Sequence, residues 1–447
     1  MDRITMALQK TRDTKSLFLG AGTIERTPEM FKLLFPGRKA MVVADANTWP
    51  VAGEKVDALL RQEGLTAAPA FIYDDPELFA EWSYLEQLEG ALSSIDAIAV
   101  AVGSGVINDL TKLASAHLDR KYMIVGTAAS MDGYTAYGAS MTYKGNKQTF
   151  VCPAPYGMIL DPVIAAAAPD GMSSSGYGDM IAKVPAGVDW MLAEAVGVES
   201  VDNFSYGLVQ DGLKEMLSLS KSIAARDVTA HEKLAEGLIM SGFAMQAYQT
   251  SRPASGTEHQ FSHYWDMEGL CYHGKHVSHG FKVAIGTMVS TACLEFLLSQ
   301  NILGLNADQC ACAWPSFQEM QKTINRVFAS KPAHADRALK ESRAKYSSKE
   351  EVAAQIRSLQ ASWPRLKEKI RDRLYSFQQV KNHLIAVGAP YEPEMIGVSR
   401  RKLKETFDGI PYMRSRFTGI DVLHRCGFLP AVSEYLFGKG GIWEITE

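Results

Sequence analysis

The stretch from Asp96 to Leu118, DAIAVAVGSGVINDLTKLASAHL, constrains the fold more than any other part of the chain. An apolar run without polar alternation ends in Gly103-Ser104-Gly105 and opens directly into a helical pattern. A strand of that composition is buried on both faces, as happens when helices cover both sides of a parallel sheet. The same step recurs along the first third of the chain. SLFLGAGTI (16–24) reads as a short strand running into a glycine turn. RKAMVVADANTW gives a strand ending at Asp45, ahead of a helical stretch from 51 to 63. APAFIYDD precedes another helical pattern, and KYMIVGTAASMDGYTAYGAS gives a further strand and a small-residue loop. Strands alternating with helices predict a Rossmann-like, doubly wound α/β domain over residues 1–168. From about Pro169 helical patterns take over, at 176–197, 203–226, 229–250, 278–300 and beyond. Residues 169–447 are therefore expected to form an all-α domain, and a chain of 447 residues is long enough for two cores.

Charge and hydropathy narrow the function classes. A net charge of −4 gives no reason to expect nucleic-acid binding. No uninterrupted apolar run reaches the length of a membrane span, and the N-terminus lacks the apolar core of a signal peptide. A cytoplasmic protein is expected. Six cysteines (152, 271, 293, 310, 312 and 426) scattered along a long chain do not form a disulfide framework.

Two loops could receive a ligand. Gly103-Ser104-Gly105-Val106-Ile107 follows a strand and opens a helix, where backbone N–H groups and the helix dipole favour a phosphate. The pattern lacks the third glycine of G-x-G-x-x-G, because Asn108 stands there, so a plain tight turn explains it as well. Thr127-Ala128-Ala129-Ser130 follows the next strand end and could line the same crevice.

The helical half carries a histidine cluster in RPASGTEHQFSHYWDMEGLCYHGKHVSHGFKVAIGT (252–287). His259 and His263 are four apart, so a helix projects both from one face. His279 opens the next apolar pattern, and the three together suit a divalent transition metal. A single histidine in such a stretch is more often a satisfied core residue, and Gln260 after His259 excludes a zincin H-E-x-x-H helix. A carboxylate is needed to complete a metal set. Asp179 in SSSGYGDMIAKVPAGVDW (173–190) is available, although an aspartate there also serves as a helix cap.

In order, GSGVINDLTK, TAASMDGYTA, GDMIAK, SGTEHQFSH and HGFKVAIGT resemble the sn-glycerol-1-phosphate dehydrogenase family, in its bacterial AraM-like branch. That family belongs to the group holding iron-type alcohol dehydrogenases and dehydroquinate synthase. The likeness runs through residues 15–300 and is looser beyond, most visible in RSRFTGIDVLHRCGFLP (414–430). It implies NAD(H)- or NADP(H)-linked, reversible reduction of dihydroxyacetone phosphate by a homodimer. Asp179, His259 and His279 would bind one divalent ion, nickel or zinc, with iron as a further option. Gly103 to Ile107 and Thr127 to Ser130 would cradle the dinucleotide, with Asp45 at the adenosine ribose. Asp132 and His263 would touch substrate, His263 as the proton donor, and Lys183 and Lys282 are nominated for the phosphate. The family often has serine four residues after Asp132, where this chain has Ala136. A polyol dehydrogenase is the nearest alternative. A dehydroquinate-synthase-like cyclase fits less well, since its first ligand is usually a glutamate with a lysine three residues on, and Asp179 and Lys183 are four apart. His273 and His276 are read as structural.

Overall fold

The computed structural model describes residues 3–144 and 146–446. A sheet of six parallel strands is built from β1 (Ser16–Leu19), β2 (Ala40–Asp45), β3 (Phe71–Tyr73), β4 (Ile98–Gly103) and β5 (Tyr122–Gly126). The chain then makes an antiparallel hairpin, β6 (Ala139–Tyr143) with β7 (Asn146–Phe150), before the sixth strand of the sheet, β8 (Gly157–Leu160). The order across the sheet is β1-β8-β5-β4-β2-β3. β2 and β4 are buried at every residue, as their unbroken apolar runs require. The hairpin is not foreshadowed by the strand-and-helix rhythm around it.

This order positions a ligand crevice. From β2 the chain steps outward to β3 and then returns to the opposite side of β2 for β4. Val43 pairs with Ala101 and Gly103 with Gly126, so Asp45, Gly103 and Gly126 end along one edge of the sheet. Strand ends at such a reversal are where open α/β sheets take ligands.

Contacts divide the chain into two compact units. One comprises Met1–Met180, Phe204–Pro253 and Ala386–Ala389, and the other Ile181–Asn203, Ala254–Ile385 and Pro390–Glu447. The change to helical sequence near residue 169 is thus a change of secondary structure and does not coincide with a change of unit. The long helix Val228–Tyr248, for instance, packs on helix Pro162–Ala167 and stays with the sheet.

Local chemistry explains where the expected helices break. The pattern read as 176–197 is two helices, Asp170–Ile181 and Lys183–Ala195, because Pro185 has no N–H to continue the ladder. The pattern read as 203–226 is three short helices, Asn203–Gln210, Leu213–Leu217 and Ser220–Ala224. Gly212 separates the first two with a left-handed φ of 76°.

In the second unit, helices Thr257–Met267 and His279–Ser299 pack against each other, joined through a short hairpin of β9 (Cys271–Tyr272) and β10 (Lys275–His276). Helix His279–Ser299 is long and apolar enough to cross a membrane, which the sequence reading did not flag. Most of it is buried within the protein, as a core helix is. All six cysteines are free.

Candidate active site

The helix Thr257–Met267 projects His259 and His263 from one face, as their spacing requires, with ring centroids 6.4 Å apart. His279 is the first residue of its helix, and its ring centroid lies 5.3 Å from that of His259. Asp179, on helix Asp170–Ile181, completes the group. Asp179, His259 and His279 each offer one ligand atom, and these atoms all lie within 4.8 Å of one another. Two imidazoles and one carboxylate make a nitrogen and oxygen donor set of the kind that binds zinc, nickel or iron, so the residues present fit a divalent ion.

Neighbouring groups aim each donor. The backbone N–H of Asp132 donates to Asp179 Oδ2 at 3.0 Å, and Ser241 Oγ donates to Asp132 Oδ2 at 3.0 Å. Ser262 Oγ lies 3.3 Å from His279 Nδ1. Glu258 Oε1 lies 2.7 Å from His259 Nδ1 and also accepts from the Gly256 N–H at 2.6 Å. A carboxylate on Nδ1 fixes the proton there and directs Nε2 toward a metal. Glu258 is fully buried. Glu258 is missed in the sequence, where an acidic neighbour to a candidate ligand histidine is the available signal. Glu258→Gln, which keeps shape and loses charge, is expected to weaken divalent-metal affinity by roughly 10- to 100-fold. Competition against a metallochromic chelator measures this, and an unchanged affinity would remove Glu258 from the site.

His263 is half-buried and stands one turn beyond His259. Burial, then the positive charge of Arg414, hold its pKa well below the usual histidine range, with Asp266 opposing them. The imidazole is accordingly neutral at physiological pH. Lys183 is fully buried at the start of its helix. The Lys282 ammonium donates to Asp266, and both side chains are nearly excluded from solvent. His273 and His276 lie outside the triad, on the exposed β9–β10 hairpin.

The two loops of the sheet unit come together as the crevice requires. Ser104 Oγ and Ser130 Oγ are 2.9 Å apart, and the Thr127 N–H donates to Gly103 O at 3.1 Å. Ser104, Gly105 and Val106 are half-exposed at the start of helix Gly105–His117, and Ser104 makes no side-chain cap to it. The first N–H groups of that helix are therefore placed for an anion. Ile107 is buried, and so is the whole of Thr127 to Ser130. Backbone packing accounts for the second loop, because a Cβ on Gly176 would come within 2.0 Å of Ala129 O. Asp45 is buried and uses Oδ1 locally, accepting from the N–H groups of Asn47 at 2.9 Å and Thr48 at 2.7 Å. Lys112, missed in the sequence, is buried and donates to the carbonyls of Gly133, Ala136 and Gly138 at 2.9–3.1 Å. It fixes the loop that follows Asp132, including Ala136.

The iron-containing alcohol dehydrogenase family model matches residues 18–169. Over 254 residues the chain is 36% identical to a glycerol-1-phosphate dehydrogenase [NAD(P)+] of Halalkalibacterium halodurans, covering 56% of this chain and 63% of that protein. It is 33% identical over 269 residues to the protein of that name from Bacillus subtilis, covering 60% of this chain and 68% of that one. Among solved structures, glycerol dehydrogenase from Schizosaccharomyces pombe superposes with a TM-score of 0.61 at 16% identity, covering 95% of this chain and 90% of its own. That likeness establishes the fold, an α/β sheet unit with a largely helical remainder.

Proposed function

The chain belongs to the glycerol-1-phosphate dehydrogenase family, and we propose that it interconverts dihydroxyacetone phosphate and sn-glycerol 1-phosphate, with NAD(H) or NADP(H) as the hydride carrier. The observation that carries this reading is the Asp179, His259 and His279 donor set with its supporting hydrogen bonds. These residues would hold one divalent ion, which when bound supplies a Lewis acid for the ketone oxygen. Ser104 to Ile107 would receive the pyrophosphate of the dinucleotide, which supplies the hydride. Ser130 would steady that loop through Ser104. Asp45 would face the ribose from its strand end. A carboxylate there disfavours a 2′-phosphate, so NAD(H) is the preferred carrier on this reading.

The remaining work falls to the chain's own side chains. Asp132, held by Ser241, would orient a terminal hydroxyl of the substrate. His263, kept neutral by burial and Arg414, has the protonation state needed to accept a proton in the oxidative direction. In the reductive direction it would first take a proton from water and then, as imidazolium, pass it to the oxygen of the reduced carbonyl. Lys183 is buried and would act from within the wall of the site.

The test is NADH oxidation with dihydroxyacetone phosphate after chelation and after re-addition of nickel or zinc, with dihydroxyacetone as the unphosphorylated control. Metal-dependent turnover favouring the phosphate ester is expected, and the chirality of the product identifies the reaction. Equal or better turnover of the free ketone would make the protein a polyol dehydrogenase. Absence of turnover with either, despite bound metal and dinucleotide, would overturn the dehydrogenase reading.

A further inference from the structure

A substrate with a phosphate one carbon from its ketone needs a cation within a side chain's length of the reacting carbon. Of the two lysines nominated for that purpose, Lys282 is engaged by Asp266. The helical unit offers a different group. Helix Arg400–Met413 lies antiparallel to helix Thr257–Met267, and its contacts give the register. Lys402 pairs with Glu268 at 2.7 Å, Thr406 Oγ1 accepts from Trp265 Nε1 at 3.0 Å, and Gly409 abuts the Tyr264 ring. Past the helix end the same trend continues, with Arg416 Nη1 donating to Ser255 O at 2.9 Å. As numbers rise on one segment they fall on the other. Arg414 therefore stands between the levels of Tyr264 and Ser255, alongside the turn that carries His259 and His263.

The segment bearing Arg414 is fixed on both sides. The Ser415 N–H donates to Glu341 at 2.7 Å, the Thr418 N–H to Asp421 at 2.9 Å and the Gly419 N–H to Asp189 at 2.7 Å. The backbone of Arg414 is extended and the residue is half-buried. Its positive charge is felt at His263.

We propose that Arg414 is the specificity residue of this site, its guanidinium receiving the substrate's phosphate group. The planar fork matches phosphate oxygens two at a time, which an ammonium cannot do. The assignment rests on the dehydrogenase reading and adds to it the residue that separates a phosphorylated triose from the free ketone.

The experiment uses the full chain loaded with nickel or zinc. The quantity measured is the ratio of kcat/KM for dihydroxyacetone phosphate to kcat/KM for dihydroxyacetone. In Arg414→Met this ratio is expected to fall by roughly 10- to 100-fold, the range for loss of a hydrogen-bonded charge, mainly through KM for the phosphate ester. Arg414→Lys, which keeps the charge and loses the fork, should fall between. Metal content is measured on each variant, and if Arg414→Met does not fold, Arg414→Lys and competition by inorganic phosphate decide. A ratio within twofold of wild type in the folded variants, or equal loss on both substrates, overturns the assignment. A wild-type ratio near one is a different outcome, since it overturns the dehydrogenase reading first.

Discussion

His259→Ala is expected to fold, to retain no divalent ion, and to turn over dihydroxyacetone phosphate about 10³-fold more slowly than wild type. The magnitude follows from the several kcal/mol that a Lewis acid contributes to a developing alkoxide, at about 1.4 kcal/mol per tenfold in rate. His259 is the central donor of the proposed set, buried, with Glu258 on its Nδ1 and the His279 ring 5.3 Å away. Its loss leaves two donors, too few to hold an ion against solvent. A thermal measurement separates this from general damage. An ion that binds only the native state raises its stability, so chelation should lower the Tm of wild type and leave that of His259→Ala in place. Stoichiometric metal in the variant, or turnover within about tenfold of wild type, would remove His259 from the ligand set.

The second large effect is expected from a methyl group. A Cβ on Gly286 would lie 2.2 Å from the carbonyl oxygen of Glu258 and 3.0 Å from its Cα. The helix that begins at His279 therefore crosses the His259 helix backbone against backbone, one residue before His259 itself. Alanine gains about 1 kcal/mol over glycine inside a helix, which would favour the variant. The overlap is with main chain that cannot swing aside, and overpacking of this kind costs about 1–3 kcal/mol. Destabilisation should win, lowering Tm by several degrees. The same displacement separates two donors, so metal affinity should fall by at least about tenfold, since a misplacement near 1 Å can cost far more. Gly286→Ala with wild-type Tm and metal affinity would show that the helices have room to adjust.

Much of this protein was legible in the chain because the signals are local. Unbroken apolar runs over Ala40–Asp45 and Ile98–Gly103 can only be doubly buried strands. The spacing of His259 and His263 sets their common face before any tertiary contact forms. Asp179 could be nominated because a nitrogen-rich metal set calls for a carboxylate. Other features had no local signal. The hairpin Ala139–Phe150 interrupts a parallel fold, and its short strands carry no distinctive alternation. The division of units sends Phe204–Pro253 to the sheet and Ile181–Asn203 to the helical unit, although both are helical in sequence character. Amphipathic periodicity states that a face will be buried and is silent on what buries it.

The site divides the same way. Residue chemistry and spacing nominated the proposed metal donors, the candidate phosphate loop at Gly103–Gly105 and the strand-end aspartate. Tertiary structure alone decided which groups tune them. Asp179 accepts from the N–H of Asp132, 47 residues away, and His279 lies beside Ser262, 17 residues away. Lys402 meets Glu268, 134 residues away, and with that pairing Arg414 is carried to the level of the histidines. A sequence fixes periodicity and donor chemistry within a few turns of chain. The partners of a side chain across more than a hundred residues follow from how whole helices pack, and that is settled by the sum of many contacts.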